Sequence, residues 1–439
     1  LSKFPWGAEI IRRSGNTSPT DLIASTTSFN ESIEAGSAVA TLSSTDPDVG
    51  DTFTYSLDSG AGDTDNSAFT IEGDQLKINA SPDYETQNSY SVRIKTKDSG
   101  RLIFEKTFTF TVNNIKEILR SSTNKTLPKS IENLVLTGTA NLKGYGNSGN
   151  NRITGNSGNN LLDGKAGIDV MAGKAGNDTY IVDELKDRVI EKADGGTDTI
   201  RSSVNEWLST HVENLVLTGT GNLKGYGNSG NNRITGNSGN NLLDGKAGID
   251  VMAGKAGNDT YIVDELKDRV IEKADGGTDT IRSSVNEWLS THVENLVLTG
   301  TGNLKGYGNS GNNRMTGNSG NNVLEGKAGR DILTGKGGGD KFVYRSTNDS
   351  GITKSTRDTI TDFDRAESDI IDLSRIDAYT KTSGNQKFVY IGSDSFSGTQ
   401  GEVRFGSGIL SVNTGTDTRA DMQIRLNGVS EFSSDFLIL

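Results

Sequence analysis

GNSGNNRIT (146–154), GNSGNNLLD (155–163), GKAGIDVMA (164–172) and GKAGNDTYI (173–181) follow one another without a gap. Each nonapeptide has glycine first and fourth, Asn or Asp sixth, and an apolar residue eighth: Ile153, Leu162, Met171 and Tyr180. Two glycines per cycle disfavour a helix, where each costs about 1 kcal/mol relative to alanine. A β-coil accommodates them: six residues turn, three form a short strand, and the apolar residue points inward to make a thin continuous core. The expected fold class is therefore all-β, with a parallel β-roll or β-solenoid at its centre.

The block lies inside a longer repeat. Gly144–Lys224 recur unchanged as Gly225–Lys305, a partial copy starts near Ser121, and a diverged copy begins at Gly306. The period of 81 is nine times nine, and Asp187-Arg188-Val189, Asp198-Thr199-Ile200 and Asn214-Leu215-Val216 echo the Asp-x-apolar form. The 45 residues between blocks are expected to continue the solenoid with longer turns. Small helices, for example around residues 204–211, are the alternative.

Composition agrees with this reading. Only 32% of the 439 residues are hydrophobic and 6% aromatic, with 55 glycines and five prolines, against about 45–50% apolar in an ordinary globular chain. A repeat solenoid or a thin β-sandwich tolerates that poverty. The formal net charge of −12 argues against nucleic acid and anionic membrane as partners and favours divalent cations. Cysteine is absent, which excludes disulfides and thiolate metal sites and leaves oxygen-ligated metal as the available staple. No apolar run is long enough for a transmembrane segment. The start, LSKFPWGAEIIRRSG, has no apolar h-region and reads as the tail of an upstream segment.

The nonapeptide resembles the RTX (repeats-in-toxin) pattern G-G-x-G-x-D-x-U-x, whose parallel β-roll binds calcium. Ca²⁺ takes six to eight oxygens, and glycines let a turn aim carbonyls at one point. The resemblance implies several Ca²⁺ ions, with turns 18 residues apart sharing an ion. That pairs Asn151 with Asp169, Asn160 with Asp178, Asn232 with Asp250, Asn241 with Asp259, Asn313 with Asp331 and Asn322 with Asp340. Gly164, Gly167, Gly173 and Gly176 supply the turns, and Asp187 and Asp268 extend the series. Lysine at the second position (Lys165, Lys174) tolerates positive φ poorly, and asparagine at the sixth removes a charge. Both predict binding at millimolar rather than micromolar calcium. Asparagine turns that hold no metal and form amide ladders are the competing reading.

Residues 18–117 alternate polar and apolar residues in short runs (TFTYSL, AFTIEG, YSVRIKTKDSG, KTFTFTVNN), the pattern of an antiparallel sandwich. The segment is similar to bacterial cadherin-like domains in FNESIEAG with Glu31, STDPDVGDTFTYSL with Asp46 and Asp48, PDYE with Asp83 and Glu85, and VNNIKE with Asn113. The resemblance implies calcium at both ends of the sandwich: Glu31, Asp83, Glu85 and Asn113 at one, Asp46 and Asp48 at the other. Carboxylates that merely cap turns are the alternative.

From Asp340 onward, DKFVYRSTNDS, RDTITDFDRAESDIIDLSRIDA, EVRFGSGILSVNTGTDTRADMQIRLNGV and the terminal DFLIL resemble the domain that follows the repeats in serralysin-type metalloproteases. That implies a cap on the roll, read by type I secretion machinery. The expected organisation is 1–17 upstream tail, 18–117 sandwich, 118–339 repeat arrays and 340–439 cap and secretion domain.

No catalytic constellation is present: His211 and His292 are the only histidines, and neither belongs to an HExxH motif. G-x-S-x-G, P-loop and dinucleotide fingerprints are absent as well. Trp207 and Trp288 suggest sugar stacking, but they recur with the unit and read more readily as solenoid core, as do Tyr145, Tyr226 and Tyr307. The expectation is an extracellular, calcium-dependent surface or adhesive module with a cell-surface or glycan partner. The alternative is the accessory region of a larger secreted hydrolase or polysaccharide-modifying enzyme.

Overall fold

The computed structural model describes residues 15–379 and 383–439, so most of the expected upstream tail, residues 1–14, lies outside the described residues. The chain forms two compact units, one made of residues up to 119 with 127–133, the other of 120–126 with 134–439. Among the described residues the only helical elements are three 3₁₀ turns of three residues each.

The first unit is a sandwich of two four-stranded sheets. One joins β1 (Asp21–Ala24), β3 (Ala38–Thr45), β6 (Gln75–Ile78) and β5 (Phe69–Glu72); the other joins β2 (Ser28–Asn30), β8 (Ile103–Asn113), β7 (Ser89–Lys97) and β4 (Thr54–Leu57). Strand alternation explains the packing. In β7, Tyr90, Val92 and Ile94 face inward while Ser89, Ser91, Arg93 and Lys95 do not, because successive side chains point to opposite faces. They meet Leu22, Phe29, Leu42, Phe69, Leu76 and Phe110 in one core. Phe69 and Tyr90 pack edge to face at 5.4 Å, the arrangement the ring quadrupole favours.

The second unit is a parallel solenoid. Strands 18 residues apart lie side by side: Ile153 pairs with Met171, and Leu162 with Tyr180. All four apolar positions of the nonapeptides are fully buried. The intervening residues continue the coil through short strands at 188–189, 199–202, 206–207 and 214–217, with no helix near 204–211. Longer turns change the local spacing, so Tyr180 pairs with Ile200, Ile200 with Leu215, and Leu215 with Ile234.

Each 81-residue unit contributes nine strands, from 143–145 to 214–217. Consecutive strands fall on alternate faces of the roll. Nine is odd, so identical segments of successive units occupy opposite faces. The ladder is also interrupted once per unit. One face breaks between 188–189 and 206–207, and the opposite face breaks between 269–270 and 287–288. At each break a glutamate, Glu206 or Glu287, stands opposite a glycine, Gly225 or Gly306.

At the far end, 402–406, 409–413 and 422–426 form an antiparallel meander whose last strand pairs in parallel with 358–360. The final strand, Leu437–Ile438, pairs with Ile371 and Asp372. The meander and final strand cover part of an open ladder end, which would otherwise template association. The DTRAD segment, 417–421, is the loop of a hairpin, with Asp421 Oδ2 accepting from Thr414 N at 2.7 Å.

Candidate metal centres

The nonapeptide turns come in two backbone forms. Where the sequence is GKAGxD, the second and fourth residues enter the left-handed region: Lys165 and Gly167 at φ 67° and 117°, Lys174 and Gly176 at 83° and 114°. Lysine therefore adopts the conformation its side chain disfavours. In GNSGNN turns neither Asn147 nor Gly149 does so. Instead Asn147 Oδ1 accepts from Gly149 N at 2.8 Å, Asn151 Oδ1 accepts from Asn147 N at 2.7 Å, and Asn151 Nδ2 donates to Asn147 Oδ1 at 3.1 Å. Asn160 does the same with Asn156, and Asn241 and Asn322 repeat it in the later arrays. Asn232 and Asn313 likewise accept from Asn228 N and Asn309 N. The sixth-position asparagines thus turn their Oδ1 to the backbone of their own turns, while Asn232 Nδ2 and Asn313 Nδ2 reach carbonyls of the preceding coil, Val212 O at 3.2 Å and Val293 O at 3.3 Å.

The aspartates behave differently. Asp169 Oδ1 accepts the N–H of Asn151 at 2.7 Å, and Asp187 Oδ1 accepts that of Asp169 at 2.9 Å. In the neighbouring column, Asp178 takes Asn160 N at 2.6 Å, Asp198 takes Asp178 N at 2.7 Å, and Glu213 takes Asp198 N at 2.8 Å. The second copy repeats both columns through Asp250, Asp268, Asp259, Asp279 and Glu294. The third runs from Asn313 to Asp331 to Asp358 and from Asn322 to Asp340 to Asp369.

Only half of each inner carboxylate is used. Oδ2 of Asp169, Asp178, Asp198, Asp250, Asp259, Asp279, Asp331, Asp340 and Asp358 is buried without a hydrogen-bond partner. Burial pushes Asp169, Asp178, Asp250, Asp259 and Asp340 up to about 7, and Asp331, with Asp358 adjacent, up to about 9. A Cβ on Gly164 or Gly173 would run into the carboxylate of Asp169 or Asp178, so glycine is what lets each acid fold back over its turn.

A third carboxylate joins one column. Asp178, Glu191 and Asp198 offer oxygens within 4.8 Å of one another, as do Asp259, Glu272 and Asp279. Tyr180 Oη accepts from Gly173 N at 2.7 Å and donates to Glu191 Oε1, which holds Glu191 in place. Unpartnered buried oxygens, oxygen-only donors and a surplus of negative charge fit a hard divalent cation such as Ca²⁺.

In the sandwich, Glu31, Asp83 and Glu85 converge at one end. Glu31 is anchored by Ile115 N at 2.6 Å and Tyr84 N at 2.8 Å, while Glu85 Oε2, Glu117 Oε2 and Glu132 Oε1 are buried without partners. Burial, with Glu132 and Glu31 nearby, pushes Glu85 up to about 7. Asn113 lies near this end, its Nδ2 donating to Asn30 Oδ1 at 3.1 Å. At the other end Asp46 gathers with Asp51 and Asp98, whereas Asp48 turns to Thr17, accepting from its N at 2.7 Å and its Oγ1 at 2.8 Å.

Asp198, Asp279, Asp358 and Asp369 are ladder members outside the nonapeptide pattern, although each begins an Asp-x-apolar triplet like that at 198–200. For Glu191, Glu272, Asp51 and Asp98 no local signal exists. The tryptophans correct an expectation: Trp207 and Trp288 are 56% and 53% exposed, because each is the outward residue of its strand, so neither is core.

Comparison with known families accords with this geometry. The RTX calcium-binding nonapeptide repeat matches residues 145–180 and 226–261, and the peptidase M10 serralysin C terminal matches residues 275–438. The chain thus carries calcium-binding RTX repeats and a serralysin C-terminal domain, and it is an exported calcium-binding protein. No curated protein sequence matches. Among solved structures, protocadherin gamma B2 extracellular cadherin domains 1–5 is similar at 20% identity over 23% of this chain and 20% of that one, with a TM-score of 0.18. Protocadherin gamma B7 domains 1–4 is similar at 21% identity over 21% and 24%, with a TM-score of 0.17. The chain spans about a fifth to a quarter of the length of those structures. Among the described residues no helix is long and apolar enough to cross a membrane.

Proposed function

We propose that this chain is a surface-associated, adhesive structural module that stays unfolded until it leaves the cell and folds on calcium outside. The observation that carries the reading is the ladder of buried aspartates, nine of them with one oxygen engaged and one free, while Asp187, Asp268 and Asp369 have both oxygens engaged. In this reading Asp169, Asp178, Asp187, Asp250, Asp259, Asp268, Asp331 and Asp340 hold the ions with the turn carbonyls, and Asp198, Asp279, Asp358 and Asp369 extend the set. The sixth-position asparagines brace the intervening turns. Glu31, Asp83 and Glu85, and Asp46 with Asp51 and Asp98, serve the two ends of the sandwich.

A bound ion supplies the positive charge against which stacked carboxylates stay ionised. Without it, the aspartates repel or must take up protons, and the glycine-rich arrays lose too much chain entropy on ordering. Binding free energy then becomes folding free energy. Residues 340–439 act as the cap and as the segment that type I secretion machinery reads, with the roll growing from it. Circular dichroism during a calcium titration up to about 10 mM, with magnesium as control, tests the coupling. Cooperative β signal with calcium alone supports it; a chain fully folded and equally stable in EDTA overturns it. Export of a chain lacking residues 380–439 would overturn the secretion role.

The match to a domain named for peptidases favours a second reading: the calcium-binding secretion and stability region of a larger extracellular hydrolase or polysaccharide-modifying enzyme. Sequence preceding Leu1 decides between them, further sandwich modules favouring the first and a catalytic motif the second.

A further inference from the structure

The ladder break at 188–189 and 206–207 opens a cleft of about 490 Å³, bordered by Leu185, Asp187, Arg188, Ile190, Glu206 and Trp207. The break at 269–270 and 287–288 opens its counterpart, about 430 Å³, bordered by Asp268, Arg269, Ile271, Glu287 and Trp288. In each, the indole stacks on the tyrosine of the next coil: Trp207 on Tyr226 at 4.8 Å and 11°, Trp288 on Tyr307 at 4.9 Å and 12°. The tyrosine covers one face of the indole and holds its plane across the roll axis. The other face borders the cleft, where the next strand is missing.

Leu185 is 66% exposed and Ile190 38%, beside Trp207 at 56%. An apolar platform in a solvent-open cleft, lined also by the Asn205 amide and the Arg188 guanidinium, matches the chemistry of a pyranose. The sugar's C–H face lies on the indole, and its equatorial hydroxyls reach planar hydrogen-bonding groups at the rim. A peptide strand is the less suited occupant, because the exposed edges at the break are only two residues long. Arg188 is the single cation among the lining residues of the first cleft, which leaves an acidic glycan little to pair with.

We propose that each cleft binds a sugar unit of an uncharged polysaccharide on the open face of its tryptophan, and that one chain bridges two glycan strands. Bridging follows from the odd number of strands per unit. The two clefts lie on opposite faces of the roll, four strand spacings and a half-coil apart, or about 20 Å along the axis. A single glycan strand does not reach both without wrapping round the roll. This names the ligand class behind the adhesive reading and rests on it.

The test is affinity electrophoresis of the calcium-loaded chain in gels containing dextran, mannan, galactomannan or soluble starch, with light scattering of the mixtures to read cross-linking. The expected result is retardation by at least one of these probes. Retardation weakens at least tenfold in a Trp207→Ala/Trp288→Ala double variant, while Trp207→Phe retains part of the effect. Each single alanine variant still binds but no longer cross-links. Calcium-dependent melting of the variants, unchanged from the parent, separates loss of the platform from loss of fold. Undiminished retardation of the double variant overturns the proposal. So does failure to bind any of the four probes when the parent chain still adheres to cells, because the adhesive reading then stands without these clefts. Absence of adhesion to cells overturns that reading itself.

Discussion

Asp178 receives the backbone N–H of Asn160 on Oδ1 at 2.6 Å, one coil away, and leaves Oδ2 with no hydrogen-bond partner although the residue is only 1% exposed. An orphaned buried acceptor costs about 1–3 kcal/mol, more when charged. Repeated in every array, that cost makes the metal-free roll a strained object and ties its stability to whatever neutralises the column.

Asp178→Asn keeps an oxygen for the Asn160 amide but removes the charge. We expect the calcium midpoint of folding to rise about tenfold, the equivalent of about 1.4 kcal/mol, with Asp259→Asn behaving alike in the identical copy. Asn160→Asp should move the midpoint the other way. Titrations followed by circular dichroism compare the three, and equal midpoints would remove Asp178 from the ion sites.

Proton linkage gives a second check. Asp169, Asp178, Asp250, Asp259 and Asp340 sit at about 7 in the fold, against about 3.9 in an unfolded chain. The folded state therefore binds protons more tightly. The stability this contributes is complete below pH about 4 and is lost as pH rises through about 7. Calcium-stripped protein should show more β signal at pH 5 than at pH 8. Calcium should reverse that order, with proton release on binding near neutral pH. A pH-independent β signal of stripped protein would contradict the buried ladder.

Tyr180→Phe leaves Gly173 N–H without its acceptor and Glu191 Oε1 without its donor. We expect a loss of about 1–3 kcal/mol in calcium-loaded protein, read by urea unfolding. Tyr261→Phe should cost the same, because the contacts recur through Gly254 and Glu272. A neutral effect would mean that water replaces the hydroxyl.

Lysine in the left-handed region carries a conformational cost that glycine lacks. Lys174→Gly and Lys336→Gly, at φ 83° and 72°, should each stabilise the folded roll by about 1 kcal/mol. That amounts to about 2–4 °C in melting temperature. Destabilisation would show that the lysine side chains contribute packing that outweighs the strain.

Local pattern made much of the fold legible. Ile153, Leu162, Met171 and Tyr180 could be placed inward from a period of nine, and the sandwich strands from alternation, because burial of one face imposes its period on the residues that supply it. Asp-x-apolar triplets even marked Asp198 before its ladder was visible. Glu191, Asp51 and Asp98 carried no such mark, since each reaches its cluster from a separate turn or strand end. Trp207 was misplaced for a related reason: its strand puts glutamate on the inward position, so the periodic expectation of an apolar core residue fails there.

The coil, its inward residues and its demand for oxygen-bound cations follow from nine consecutive residues and their chemistry. Which oxygens remain free, where the ladder breaks and why identical clefts face opposite ways are properties of the assembled coils. Those depend on parallel pairing between strands 15 to 20 residues apart and on the odd strand count of the 81-residue unit, which no single repeat contains.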